Sequence, residues 1–153
     1  MGSNVRIIDK DLGFNRIIKS IKRMNKSFTK VGLFGNGGDA STNIAERGAV
    51  HEFGTKSGKI PSRPFNRQAF SKNLKKTEKV VAIWYNKVID GKSSTKKALQ
   101  NIGEWFEGKL KEEITSGGFV ALKSATSARK GSSKPLIDTG DMRRRITHKE
   151  VIK

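Results

Sequence analysis

A chain of 153 residues that is 34% hydrophobic and 30% charged has material for one modest core, and gains stability by burying surface against copies of itself. Its 32 Lys and Arg against 14 Asp and Glu give a net charge of +18, a surface that draws polyanions or acidic protein faces and resists self-approach unless neutralised. The absence of cysteine excludes disulfides and thiolate metal sites. The longest apolar run, residues 80–85, is far too short to span a bilayer, and residues 1–30 hold no apolar signal core. The expectation is a single domain, assembled in the cytoplasm, with no membrane partner.

Phe14, Ile17, Ile18, Ile21, Met24 and Phe28 recur at steps of three and four, with Lys19, Lys22, Arg23, Lys26 and Lys30 on the other side. This pattern predicts an amphipathic amino-terminal helix with a basic outer stripe. A short β segment is expected at 30–35, closed by a turn cluster at 36–39. Asn43, with Glu46 three positions on, opens a small helix in a capping-box pattern, and Gly54 ends it. In Ile60-Pro61-Ser62-Arg63-Pro64 each proline holds its predecessor extended, which makes a rigid connector; Pro64 can open the next helix.

That helix is the longest element. Phe70, Leu74, Thr77, Val81, Trp84 and Val88 form one stripe, opposite Lys72, Lys75, Lys76 and Lys79. Gly91 stops it, residues 93–95 offer caps, and a second helix follows with Leu99, Ile102, Phe106 and Leu110 inward. Two helices joined by a short polar turn pack antiparallel. Residues 116–134 turn to Gly, Ser, Ala and Lys without periodicity and read as a flexible arm. Thr139 caps a last short helix at 141–145, and 146–152 reads as a closing strand that pairs with the one at Val31. The fold class expected is α+β: a small antiparallel sheet packed against two long antiparallel helices plus the amino-terminal helix.

Chemistry finds little footing here. A metal site would require His51, Glu52, Asp138 and Asp141 to be gathered by the fold, because no ligand spacing on one element announces it. No serine sits in a GxSxG elbow, and the glycines at 35–38 lack phosphate-loop spacing. The expectation is no enzyme, no cofactor and no metal. His51 and Glu52 are expected to end a helix with local hydrogen bonds, and Trp84, Trp105 and Phe106 to pack in the core. The basic residues carry more weight. Beside the lysine row at 72, 75, 76 and 79 stand Lys123, Arg129, Lys130 and Lys134 on the arm, and Arg143, Arg144 and Arg145 after it. Rows of this kind are commonly solvated faces, yet so many uncompensated cations imply phosphate contacts or an acidic partner. Nothing resembles a zinc finger, a basic zipper or a recognition-helix pair.

Two short segments stand out: His51-Glu52-Phe53-Gly54-Thr55 running into Ile60-Pro61-Ser62-Arg63-Pro64-Phe65, and Lys134-Pro135-Leu136-Ile137-Asp138-Thr139-Gly140 followed by Arg143. With Val31-Gly32-Leu33-Phe34 before them and Thr126 to Gly131 between them, they resemble, in order and over about residues 31–147, the phage virion-morphogenesis proteins. These are the neck, head–tail connector and tail-completion subunits. The resemblance implies a structural, non-enzymatic virion protein of the neck or tail, forming a homo-oligomeric ring. Its partners would be the portal or adaptor, the tail tube or tail terminator, and genomic DNA passing through the lumen.

On that reading Glu52, Phe53, Gly54, Arg63, Pro64, Phe65, Asp138, Thr139 and Gly140 belong to a subunit or partner interface, with Arg63 pairing a carboxylate and the arm ordering only against a neighbour. Lys72, Lys75, Lys76, Lys79, Lys123, Arg129, Lys130, Arg143 and Arg144 would face DNA or an acidic partner. The alternative is a small basic protein that coats or organises nucleic acid.

Overall fold

The computed structural model describes residues 11–35, 43–130 and 133–153. Residues 1–10, the turn cluster at 36–39 and Gly131 of the arm lie outside the described residues. Helix α1, Phe14–Lys26, buries Met24 and half-buries Ile17, Ile18 and Ile21. It ends at Ser27, whose backbone turns extended (φ −102°, ψ 150°) and whose hydroxyl accepts the Lys153 N–H at 3.0 Å.

Phe28, expected on the helix stripe, instead opens strand β1, Phe28–Gly32. This strand pairs antiparallel with β2, Thr147–Val151, with Phe28 opposite Val151 and Gly32 opposite Thr147. It therefore starts two residues before the expected segment, and Leu33 and Phe34 leave the sheet half-buried. The partner strand lies at the far end of the chain, so the local helical period gave no hint of it; β-branched Thr29 and Val31 suit the sheet once it is there.

Helix α2, Ile44–Phe53, begins as expected, with the Asn43 side chain accepting the Ala45 N–H at 3.0 Å. Helices α3, Phe65–Ile89, and α4, Thr95–Ser116, are joined by a tight turn in which Gly91 takes φ 74° and the Ser94 hydroxyl accepts the Lys97 N–H at 3.2 Å. They run antiparallel. Phe65 and Ala69 at the start of α3 share a buried cluster with Leu110 and Ile114 at the end of α4, which Ile44, Leu136, Met142 and Ile146 complete. At the other end Val88 meets Ala98 and Met24, with Trp84 and Tyr85 alongside. The sheet lies on α4 at Gly103, where a β-carbon would fall 2.7 Å from the His148 ring and 2.8 Å from the Thr29 hydroxyl. The protein is thus α+β, with a two-stranded antiparallel sheet, two long packed helices and an amino-terminal helix.

Two expectations change. Half of the α3 stripe turns inward: Thr77 and Trp84 are half-buried and Val88 buried, as expected, whereas Phe70, Leu74 and Val81 are 50%, 42% and 36% exposed and Ala69, outside the stripe, is fully buried. The face turned to α4 runs through Ala69, Asn73, Thr77, Trp84 and Val88. Two of these are polar, and both satisfy themselves on the helix: Asn73 Nδ2 donates to the Ala69 carbonyl and Thr77 Oγ1 to the Asn73 carbonyl, each at 2.9 Å. Asn73, outside the expected stripe, is the inward polar position that the apolar period passed over.

The arm is the second change. Residues 124–130 form a short helix, α5, Ser124–Lys130, and the segment before it is docked on the chain's own body. The last helix, α6, Asp141–Arg144, buries Met142. Among the described residues, no helix is long and apolar enough to cross a membrane.

Candidate interaction site

The segment around Gly54 and the proline connector are halves of one corner. The Thr55 N–H donates to the Ile60 carbonyl at 3.0 Å, and the Thr55 hydroxyl accepts the Ile60 N–H at 3.0 Å, closing the loop between them. Ser62 Oγ donates to the Glu52 carbonyl at 2.8 Å and the Arg63 N–H to the His51 carbonyl at 2.7 Å, which binds the connector to the end of α2. Gly54 sits at the crossing with φ 76°, and a β-carbon there would lie 2.9 Å from the Ser62 nitrogen and 3.0 Å from the Ile60 oxygen. Only glycine meets both demands.

Glu52, expected at a partner interface, is only 6% exposed and works inside the chain. Its carboxylate accepts the Asn66 N–H at 2.9 Å and the Arg67 N–H at 3.2 Å, with Arg67 Nε at 3.0 Å. These are open amides of the first turn of α3, which Pro64, having no polar side chain, cannot satisfy. One helix thus caps the next, and the negative charge sits where the α3 dipole favours it. Phe53 stays 70% exposed, with the Arg67 guanidinium 5.4 Å from its ring centre.

Arg63 is 4% exposed and meets no carboxylate among the described residues; it donates from Nε to the Val120 carbonyl at 3.0 Å and from Nη2 to the Ala121 carbonyl at 3.5 Å. The arm is therefore held by the corner of its own chain, which corrects the expectation that it orders only against a neighbour. Pro64 and Phe65 complete the corner, Phe65 reaching into the main buried cluster.

The second segment meets this corner at His51. A cleft of about 400 Å³ lies between the corner and α5, lined by His51, Arg63, Val120, Leu122 and Lys130 among others. A neighbouring cleft of about 300 Å³ lies between α2 and the turn Asp138, Thr139, Gly140, and His51, Lys130 and Pro135 line it too. Asp141 is held at 2.8 Å by both Arg47 of α2 and Arg145. These partners overcome partial burial and keep its carboxyl below the usual range, the Arg145 hydrogen bond contributing most. His51 Nδ1 is buried with no hydrogen-bond partner among the described residues. Burial pushes the imidazole below its ordinary value, and the nearby charges of Arg63, Lys130 and Arg47 push the same way. The two segments that stood out in the sequence thus flank one histidine whose surroundings disfavour its charged form.

The cations divide into two kinds. Lys72 is spent inside the fold, on Glu113 at 2.6 Å, a carboxylate only 7% exposed. Lys75, Lys76 and Lys79 are exposed on α3, as are Lys123 and Arg129 on the arm and Arg143 and Arg144 on α6. Lys130 is half-buried, its ammonium 3.5 Å from the Pro135 carbonyl. The aromatic residues Trp84, Trp105 and Phe106 are half-buried, Phe106 meeting Phe70 edge-on at 6.1 Å.

Sequence reasoning missed the cluster beneath the sheet. His148 Nδ1 lies 2.6 Å from Glu107 Oε2, and Lys111 donates to the other oxygen of the same carboxylate. Burial works to raise the Glu107 carboxyl, but the bonds from Lys111 and His148 outweigh it and hold it below the ordinary glutamate value. The four-residue step from Glu107 to Lys111 was a visible sign; the histidine, arriving from β2, was not. Among the described residues, no three His, Asp or Glu side chains come together to hold a metal.

Comparison with family models, with curated proteins and with solved structures finds no match.

Proposed function

We propose that this chain is a structural joining subunit of a tailed-phage virion, located in the neck or tail. It would assemble as a homo-oligomeric ring between the portal or adaptor and the tail, and work by shape and charge without a chemical step. The resemblance described above motivates the reading. The structural observation that carries it is one stripe of α3, where Phe70, Leu74 and Val81 are 50%, 42% and 36% exposed on the longest helix of a small, polar chain. Large apolar side chains left on one rigid element call for burial by a further surface. A ring gives that burial, and the duplex in its lumen, with about one charge per 1.7 Å of axis, answers the surplus of cations.

Coating of nucleic acid is the second reading, favoured by the exposed row Lys75, Lys76 and Lys79. Sedimentation and duplex titration on the same preparation separate the two. A joining subunit forms a discrete oligomer that dissociates when Leu74 is changed to Glu, and its hold on duplex is weak. A coating protein stays monomeric and binds duplex tightly, with an affinity that falls steeply as salt rises.

A further inference from the structure

The cleft between the Gly54 corner and α5 has a charge pattern that the fold does not use. Lys59, Lys123, Arg129 and Lys130 stand on it beside Arg63 and His51, and its described lining holds no Asp or Glu. Elsewhere carboxylates take up some of the cations: Arg47 and Arg145 share Asp141, Lys72 meets Glu113 and Lys111 meets Glu107. Between the cations lie Ile60, Pro61, Val120, Leu122 and Pro135. Buried at the same place is His51 Nδ1, a polar atom with no partner among the described residues.

We propose that this cleft binds an acidic peptide segment of a partner protein. Its carboxylates would be held by Lys59, Lys123, Arg129 and Lys130, and its apolar side chains by Ile60, Val120 and Leu122. Charge complementarity selects an anion, and the shape of the cleft and its apolar lining select which one. A duplex is a rigid, convex rod whose phosphates bring no apolar groups, whereas a peptide alternating acidic and apolar side chains satisfies both kinds of wall. Arg63 has a positioning role: by holding the Val120 and Ala121 carbonyls it fixes the arm that forms one wall. The proposal deepens the joining-subunit reading, on which it rests for the partner being a protein.

The test is fluorescence anisotropy with the full chain at about 0.15 M salt, near the physiological screening length. The probes are a labelled peptide alternating glutamate with leucine, the same peptide with glutamine for glutamate, and the same with glycine for leucine. The first is expected to bind at least about tenfold more tightly than either control. The paired change Lys123→Glu and Arg129→Glu, both exposed, should weaken it by about tenfold or more with the melting temperature unchanged. Lys19→Glu with Lys22→Glu on α1, an equal change of charge, should leave it within about twofold.

Equal binding of the three peptides, or equal loss in both double variants, overturns the proposal. So does displacement of the peptide by an equimolar duplex, which would make the cleft a phosphate site. Peptide binding retained by a chain that fails to join heads to tails would remove the joining reading and leave the cleft; joining that survives loss of peptide binding would remove the cleft alone.

Discussion

The Glu52 carboxylate accepts the Asn66 backbone N–H at 2.9 Å, so the last turn of α2 caps the first turn of α3. A proline-led helix has no acceptor of its own at that position, and the angle between two helices comes to depend on one buried acid. Glu52→Ala leaves the Asn66 and Arg67 amides and the Arg67 guanidinium without their acceptor. It should cost about 2–3 kcal/mol, the usual scale for hydrogen bonds to a buried charge. Glu52→Gln keeps an acceptor and should cost less. Urea unfolding of the three proteins checks the order; equal stability would mean the cap contributes nothing.

Gly54 and Gly58 make a matched pair. Both have positive φ, 76° and 67°, but a β-carbon at Gly54 meets backbone at 2.9 Å while one at Gly58 meets nothing within 4 Å. Gly58→Ala should cost about 1 kcal/mol of backbone strain alone, and Gly54→Ala about 3 kcal/mol or more because the corner must also open. Denaturation midpoints that fail to separate the two variants would show that the close approach is unimportant.

Groups whose folded-state values are lowered make stability fall with acid, and His51 and Glu107 are two of them. His51 has a folded-state value lowered from 6.5 by burial and then by its cationic neighbours, so as pH drops below that value the unfolded chain takes the proton first. Glu107 likewise lies below 4.5 in the folded state, despite burial, because Lys111 and His148 hold its charged form, so the unfolded chain again protonates first below that pH. Stability should begin to decline under about pH 6.5 and decline further under about pH 4.5. His51→Gln should flatten the upper part of the profile and Glu107→Gln the lower part, read from urea midpoints across pH. A His51→Gln profile identical to the parent's would contradict the assignment.

Leu74→Glu places a charge on a side chain that is 42% exposed, so the isolated fold should keep its stability within about 0.5 kcal/mol. Its self-association, followed by sedimentation, should weaken by about tenfold or more because a carboxylate would be buried between subunits. Unchanged assembly would place the ring contact elsewhere.

Local signals were legible in the sequence, and distant ones were not. Asn43, Gly54 and Ser94 act within a few residues of themselves, and each does in the fold what its type and place suggested. Phe28 was misread because its strand partner, Val151, lies at the other end of the chain. On α3 the inward places of Thr77, Trp84 and Val88 were read, but that of Asn73 was not, because it is a polar residue that satisfies itself on its own helix. Glu52 was expected to end its helix with local hydrogen bonds, but their target, the first turn of the helix that follows, was missed, as was the hold of Arg63 on an arm far along the chain. A proline at the head of a long helix was the one available clue that an acceptor had to come from elsewhere.

The most direct measurement is electron microscopy of particles made by a phage or prophage lacking this gene, with and without added protein. Separate DNA-filled heads and finished tails, joined into whole virions when the protein is restored, is the predicted result. Intact, joined particles formed without it would contradict the joining function.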